Sequence, residues 1–258
     1  LGGRLDAANL WDATLAIITS VAIDHIEWLG DDREIIAVEK SGIMRKSAPV
    51  ICGDPNPPLA IKTEAKRIGA KLIQLGVDYK FDANDTACKM DNWMWQYSEL
   101  KLCLSLPSMA GECLLNNASS AIAGLHAIKA RLPVTIDSIN TGLANASVTG
   151  RLQILQTNPE WILDVAHNPH AAKELARYIA SQTISGNTYA LFSMLRDKDI
   201  NEVIALMDNV IDEWHIVALE GSRGLSLDEL KQCFREYNGE TKVDCNYRGE
   251  YGTDYGCT

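Results

Sequence analysis

The segment Asp164-Val165-Ala166-His167-Asn168-Pro169 sets a carboxylate and an imidazole three residues apart, just before a pair suited to starting a helix. Asn168 is a good N-cap, and Pro169 fits the first turn, where its missing N–H would have no partner anyway. Residues 161–165 read as a strand, which puts Asp164 and His167 at its carboxyl end. Ligands of open α/β sheets collect at that edge, and helix N-termini there favour anions. An acid and an imidazole so placed could hold a ribose, a metal-bound phosphate or an amino-acid ligand; they could equally only cap and bridge the turn.

Lys40, in Glu39-Lys40-Ser41-Gly42-Ile43, shares a predicted helix face with Ile36, Ile43 and Met44. A lysine there either snorkels to water or is desolvated with its pKa lowered. A neutral amine can react with carbon dioxide, and the carbamate would offer an anionic oxygen to Mg²⁺. His25, in Ile23-Asp24-His25-Ile26-Glu27-Trp28-Leu29-Gly30, follows an apolar run. It is either a divalent-metal ligand or a hydrogen-bonded surface histidine. Arg151, directly after Gly150, could reach a phosphate or simply be an exposed hinge residue. Asn117, at the start of a predicted helix, reads as an N-cap or an adenine-reading amide. Asp197-Lys198-Asp199 forms a charged loop expected on the same edge as Asp164, and its alternative is a solvated turn.

Strands alternating with helices would position these groups. Residues 13–22 (ATLAIITSVA) have the β-branched, apolar pattern of a strand covered on both faces. A helix is expected over 31–44, with Asp31 and Asp32 at its N-terminus, then a strand at 49–53, a helix at 58–68 and a strand at 71–79. Two β segments within 93–106 suggest a hairpin. Ala118, Ala121, Ile122, Leu125 and Ile128 give one apolar face to a helix over 116–131 that Pro133 would end, and a shorter helix follows at 136–146. After Gly150 the pattern is strand (151–155), strand (161–165), helix (169–181), strand (188–194), helix (200–210), strand (214–219) and helix (227–237). That alternation implies an α/β fold whose second unit has a largely parallel sheet. Residues 239–258 lack periodicity and read as an irregular tail.

A chain of 258 residues suggests two domains. Its net charge of −10 disfavours a general nucleic-acid binder but not a nucleotide enzyme, which needs only local cations and backbone N–H groups. No apolar run reaches the roughly 18 residues of a transmembrane helix. The start, Leu1-Gly2-Gly3-Arg4-Leu5-Asp6, has neither a signal-peptide pattern nor an initiator methionine and reads as the inside of a glycine-rich turn, as in a fragment. The seven cysteines contain no C-x-x-C pair, so free thiols in a reducing cytoplasm are expected rather than zinc or a disulfide framework.

Several segments, in order, resemble the folylpolyglutamate synthase and dihydrofolate synthase family, a branch of the Mur ligases. They are Leu1 through Ala7, Thr19-Ser20 with Asp24-His25 and Trp28-Leu29-Gly30, Glu39 through Ile43, Asn117-Ala118, Gly150-Arg151, Asp164 through His170, Asp197 through Ile200, and Leu219 through Gly224. The resemblance implies the C-terminal part of a central P-loop-type ATPase domain over 1–148 and an incomplete Rossmann-like glutamate-ligase domain over 149–238. It implies a cytoplasmic monomer that takes ATP, Mg²⁺, L-glutamate and dihydropteroate or folates, with no nucleic-acid or membrane partner. ATP would convert a substrate carboxylate to an acyl phosphate, which the glutamate amine would attack; such chemistry depends on positioning and charge neutralisation. His25 and carbamylated Lys40 would ligate Mg²⁺, and Asn117, Arg151 and Asp164 would contact ATP. His167 would place glutamate or the nucleotide, joining His25 and Lys40 as catalytic candidates, with Lys198 in the same cleft.

The family's G-x-x-x-x-G-K-[ST] loop, a metal-binding glutamate expected before Leu1 and the C-terminal C-G-S motif are not among the 258 residues. A ligase parent with an inactive fragment is therefore expected. The alternatives are a peptidoglycan Mur ligase acting on a UDP-muramoyl substrate and a non-catalytic nucleotide-binding module.

Overall fold

Val50 and Ile51 point to opposite faces of one strand, and both are completely buried. That two-sided burial is the mark of a parallel sheet packed on both faces. In the computed structural model, which describes residues 4, 6–23, 32–88, 92–108, 112–238 and 243–244, the strand is the centre of a parallel sheet. Its strands are β1 (Ala16–Ile18), β2 (Pro49–Cys52) and β3 (Lys71–Gln74), with Ile17 opposite Ile51 and Ile51 opposite Ile73. Helices α1 (Arg33–Lys40) and α2 (Leu59–Ile68) cover one face through Ile36, Ala37, Ile61 and Ala65. Ile51 packs on the other face with an antiparallel sheet of β4 (Tyr79–Asp82), β5 (Asn92–Tyr97) and β6 (Leu100–Ser105), and with α3 (Glu112–Ala127) and α4 (Ile136–Asn145). Trp93, Trp95 and Leu104 are fully buried there. The chain divides into two units, Leu1–Val148 and Thr149–Thr258, of which this is the first.

The first unit departs from expectation in five places. The helix expected over 31–44 is α-helical only to Lys40; a 3-10 turn over Ser41–Ile43 follows, and Met44 is extended. β1 is short and at the edge of its sheet, leaving Ile17 37% exposed, so it is not covered on both faces. The expected strand 71–79 is broken at Gly76, whose φ of 80° turns the chain so that Tyr79 begins a strand in another sheet. The turn is closed by the Asp78 carboxylate, which accepts from the Gln74 N–H at 2.7 Å. Helix α3 starts at Glu112 and ends at Ala127, ahead of Pro133, because tight turns at Lys129 and Arg131 already unwind it. Cys88 and Cys103 form a disulfide with Cα atoms 5.7 Å apart, contrary to the expectation of free thiols; the β-meander folds their two segments together.

In the second unit, β7 (Gln153–Thr157) and β8 (Glu160–Leu163) pair antiparallel as a hairpin. A parallel sheet of β9 (Tyr189–Phe192), β10 (Glu213–Ile216) and β11 (Val243–Asp244) has the order β11-β10-β9. Helices α5 (Pro169–Ser181), α6 (Ile200–Met207) and α7 (Leu227–Asn238) all bury residues in one core with Trp214 and Ile216. The Trp214 and Phe234 ring centroids lie 5.1 Å apart in an edge-on contact. Two expectations need correction. The hairpin is a sheet of its own among the described residues, so the parallel sheet is smaller than the alternation implied. Val243–Asp244 pairs with Trp214 and His215, so the stretch after Asn238 is not wholly irregular.

Gly53 lies where β2 meets α3: an added Cβ would collide with Ser120 Oγ. That hydroxyl is held by Tyr79 Oη at 2.9 Å and donates to the Asn116 carbonyl at 2.8 Å, so it has little room to move. Gly53→Ala is expected to destabilise the chain by about 1–3 kcal/mol. A urea denaturation midpoint equal to that of the parent chain would contradict this packing.

Candidate functional site

The two ends of the β7–β8 hairpin are drawn together by Asp164. One carboxylate oxygen accepts from the Leu152 N–H at 2.8 Å and the other from the Ala166 N–H at 2.7 Å. The Val165 N–H donates to the Gly150 carbonyl at 2.8 Å, and the Gly150 N–H to Gln153 Oε1 at 3.0 Å. Gly150 has φ 71°, and a Cβ there would strike Val165, so glycine is required on both counts. Leu152 is also left-handed, at φ 43°. Asp164 thus performs the bridging role read as the bland alternative in its sequence, while each of its oxygens retains capacity for a further donor.

His167 Nδ1–H donates to the Val165 carbonyl at 2.9 Å, which places the proton on Nδ1 and makes Nε2 the acceptor in the neutral ring. Asn168 caps α5 through the Ala171 N–H at 2.9 Å, with Pro169 in the first turn, as expected. Because Gln153 pairs with Leu163, exposed Arg151 lies at the same hairpin end as Asp164 and half-buried His167.

Lys198 is half-buried after β9, and among the described residues β9 is assigned to a different sheet from β8, so the expected edge of one shared sheet is not seen for Lys198 and Asp164. Its neighbours have structural partners. Asp197 takes a two-pronged bond from Arg223, with both oxygens 2.8 Å from Nη2, and Asp199 caps α6 through the Glu202 N–H at 3.1 Å. Arg223 holds the Asp197 carboxyl below its usual range. Arg196 pairs with Glu229, which also accepts from the Ser226 N–H at 2.9 Å and from the Ser226 hydroxyl at 2.8 Å. These donors, the Ser226 amide first, push the Glu229 carboxyl down to about 2. The Ser226-x-x-Glu229 spacing is a capping-box signature that the sequence carries openly.

In the first unit, Lys40 is the half-buried last residue of α1, four residues after buried Ile36; Ile43 and Met44, expected on the same helical face, lie beyond the end of that helix. Asn117 is exposed in the second turn of α3; a residue inside a helix cannot be its N-cap, so that reading is withdrawn. His25, Asp24 and Asp31 lie outside the described residues. Among the described residues no group of three His, Cys, Asp or Glu side chains could hold a metal ion.

Sequence reasoning missed Asp54 and Arg33. Asp54, 3% exposed, accepts from the Val21 N–H at 2.8 Å, the Asn56 N–H at 2.8 Å and Arg33 Nη2 at 3.1 Å. Arg33 in turn donates to the carbonyls of Val21 at 2.7 Å and Asn56 at 3.1 Å. This network fixes the first residue of α1, the helix that ends at Lys40. Glu34 beside it accepts from the Leu59 and Ala60 N–H groups, supplying α2 with the cap that Pro58 lacks. An aspartate before Pro55 reads only as a turn residue, and nothing in its spacing announces a buried partner.

The profile described as Mur ligase, glutamate ligase domain, matches residues 150–250. The dihydrofolate synthase/folylpolyglutamate synthase of Escherichia coli K12 is 40% identical over 233 residues, covering 89% of this chain and 52% of that protein. The chain belongs to the dihydrofolate synthase/folylpolyglutamate synthase family of Mur ligases. Two solved members share its fold. The E. coli FolC structure in complex with DHPP and ADP has a TM-score of 0.81 at 36% identity, over 95% of this chain and 61% of that one. A bifunctional folylpolyglutamate synthase/dihydrofolate synthase with Mn, AMPPNP and L-glutamate bound has a TM-score of 0.79 at 38% identity, over 95% and 62%. The chain spans about half the length of the curated relatives it matches. The profile match continues past Asn238, where the sequence alone shows no family feature.

Two outcomes check this geometry. Asp54→Ala strands two backbone donors and is expected to cost about 1–3 kcal/mol in chemical denaturation; an unchanged midpoint would refute the network. Glu229 has a folded pKa of about 2, below its ordinary 4.5, so its contribution is complete above about pH 4.5 and lost as pH falls towards 2. A carboxyl NMR titration of Glu229 with its midpoint at the ordinary value would contradict the clamp.

Proposed function

We propose that this chain is part of an ATP-dependent ligase that adds L-glutamate to dihydropteroate, to folyl-polyglutamate or to both. The observation that carries the reading is the 40% identity with the E. coli enzyme along 89% of the chain. Residues 1–148 are assigned to the C-terminal part of the central ATPase domain and 149–238 to the glutamate-ligase domain, with 239–258 following. The profile match from residue 150 supports the division.

In this reading ATP phosphorylates the acceptor carboxylate, and the glutamate amine displaces phosphate from the acyl phosphate. Arg151 supplies a guanidinium for phosphate oxygens, and Asp164 accepts from a nucleotide hydroxyl with the oxygen capacity its two backbone donors leave. Asn117, exposed on α3, is a further proposed ATP contact. His167, its proton held on Nδ1 by Val165, presents an acceptor nitrogen suited to the glutamate ammonium group, and Lys198 is a second glutamate-binding candidate. The described residues do not by themselves form a metal site, and the Lys40 amine becomes an oxygen donor only on carbamylation. Mg²⁺ enters only as the ion for which His25 and Lys40 are the proposed ligands, and no step is assigned to it. We place the enzyme in the cytoplasm as a monomer, as the family resemblance implies; no described helix is long and apolar enough to cross a membrane, and the charge of −10 disfavours a general nucleic-acid partner.

The test uses a polypeptide carrying this sequence together with an upstream phosphate-binding loop. Incubated with ATP, Mg²⁺, labelled L-glutamate and dihydropteroate or tetrahydrofolate, it is expected to form a glutamylated folate with release of phosphate. Asp164→Ala should lower kcat/KM by about a hundredfold, as loss of a positioning hydrogen bond does. The 258-residue chain alone should form no product. Product with a UDP-muramoyl acceptor instead would transfer the assignment to a peptidoglycan ligase, and no product with either acceptor would end the ligase reading.

A further inference from the structure

Leu102 and Leu104 on β6 turn towards the core, so Cys103 between them faces solvent and is exposed. Its disulfide partner, Cys88, is half-buried in the connection that leaves β4 at Asp82. Over 83–88 this connection is held by short-range bonds: Asn84 N–H to Asp82 Oδ1 at 2.9 Å, Ala87 N–H to Asp85 Oδ1 at 2.8 Å and Cys88 N–H to the Asp85 carbonyl at 3.0 Å. The covalent bond to Cys103 is what ties it to the far strand of the sheet. β6 itself does not depend on that bond. It is paired with β5 along its length, Leu104 is fully buried, and the Ser105 N–H is held by Asn140 at 3.0 Å.

We propose that Cys88 and Cys103 are a reversible redox pair that fastens and releases the 83–88 connection while the sheet beneath it stays folded. Exposure decides between this and a permanent staple, because accessible disulfides exchange with small thiols whereas structural ones resist them. In a compartment rich in glutathione, as in the cytoplasmic placement proposed above, a disulfide is characteristically transient or regulatory. The contrast with other thiols of the chain is clear: Cys52 is buried, Cys233 is partly so, and burial pushes both thiols up, away from reactivity.

Oxidation by glutathione disulfide balances in two exchanges. The exposed Cys103 thiolate attacks one glutathione sulfur and expels a glutathione thiolate. The Cys88 thiolate then attacks the Cys103 sulfur of the mixed disulfide and expels the second. Two protons leave the protein thiols, two electrons reduce one glutathione disulfide to two glutathiones, and reduction is the reverse. Besides the disulfide, Cys103 Sγ lies 3.9 Å from the Ala87 carbonyl, a contact too long to replace a covalent tie.

The full chain is equilibrated in glutathione buffers from fully oxidised to fully reduced, alkylated, and mapped by mass spectrometry. In parallel, tryptic cleavage after Lys89 is timed. Oxidising buffers are expected to give a peptide linked through Cys88 and Cys103. Reducing buffers should free both thiols and speed cleavage at Lys89 at least severalfold, with far-UV circular dichroism unchanged. Cys88→Ser and Cys103→Ser should each cleave at the fast rate in every buffer. Thiols that stay alkylatable throughout, a link glutathione cannot reduce, a link between other cysteines, or a cleavage rate indifferent to the buffer would each overturn the proposal. These readouts need no ligase assay, so they stand or fall apart from the proposed reaction.

Discussion

Where a strand of an α/β unit ends, its last backbone N–H groups lose their ladder partners while still shielded from water, and they need an acceptor. Both units meet that need with an aspartate. Asp54 gathers the Val21 and Asn56 N–H groups after β1 and β2, and Asp164 gathers those of Leu152 and Ala166 at the hairpin end. In each case the carboxylate ties together segments distant in sequence, so chain direction, the start of a helix and the position of candidate ligand-binding residues follow from one satisfied charge. Arg33 completes the first arrangement with three donors of its own. At the second, Arg151 is exposed at the same hairpin end.

The α/β class and most helices could be read from residue pattern because the physics is local. Asn168-Pro169 caps α5, and the 3.6-residue period of α3 survives even though its ends were misplaced. What could not be read depends on contacts between distant residues. The stretch 71–79, patterned as one strand, carries no sign that Gly76 turns the chain into a second sheet. The pairing of β7 with β8 in a sheet of their own is a matter of sheet membership, which the residue pattern of neither strand records.

The candidate site was legible in the same uneven way. Lys40 is half-buried, although the helix face that its spacing described ends with it, and Asp164 and His167 lie between β8 and α5 with bonds to backbone groups around them. Asn117 moved into a helix interior because the helix starts four residues earlier than its apolar face suggests. The Cys88–Cys103 bond was hidden because sequence spacing says nothing of two segments that a meander folds into register. Family resemblance added what no pattern could, a family for the chain as a whole, and a relative 40% identical across 89% of the chain bears that family out.

Leu152 carries one more implication. A leucine at φ 43° pays for a backbone shape that glycine would adopt freely, and the bond from its N–H to Asp164 is what makes that shape worthwhile. Asp164 therefore holds Leu152 in place while each of its oxygens keeps room for one further donor. Loss of that bond would free Leu152 to leave the left-handed region, and would change with it the direction in which the neighbouring Arg151 leaves the backbone.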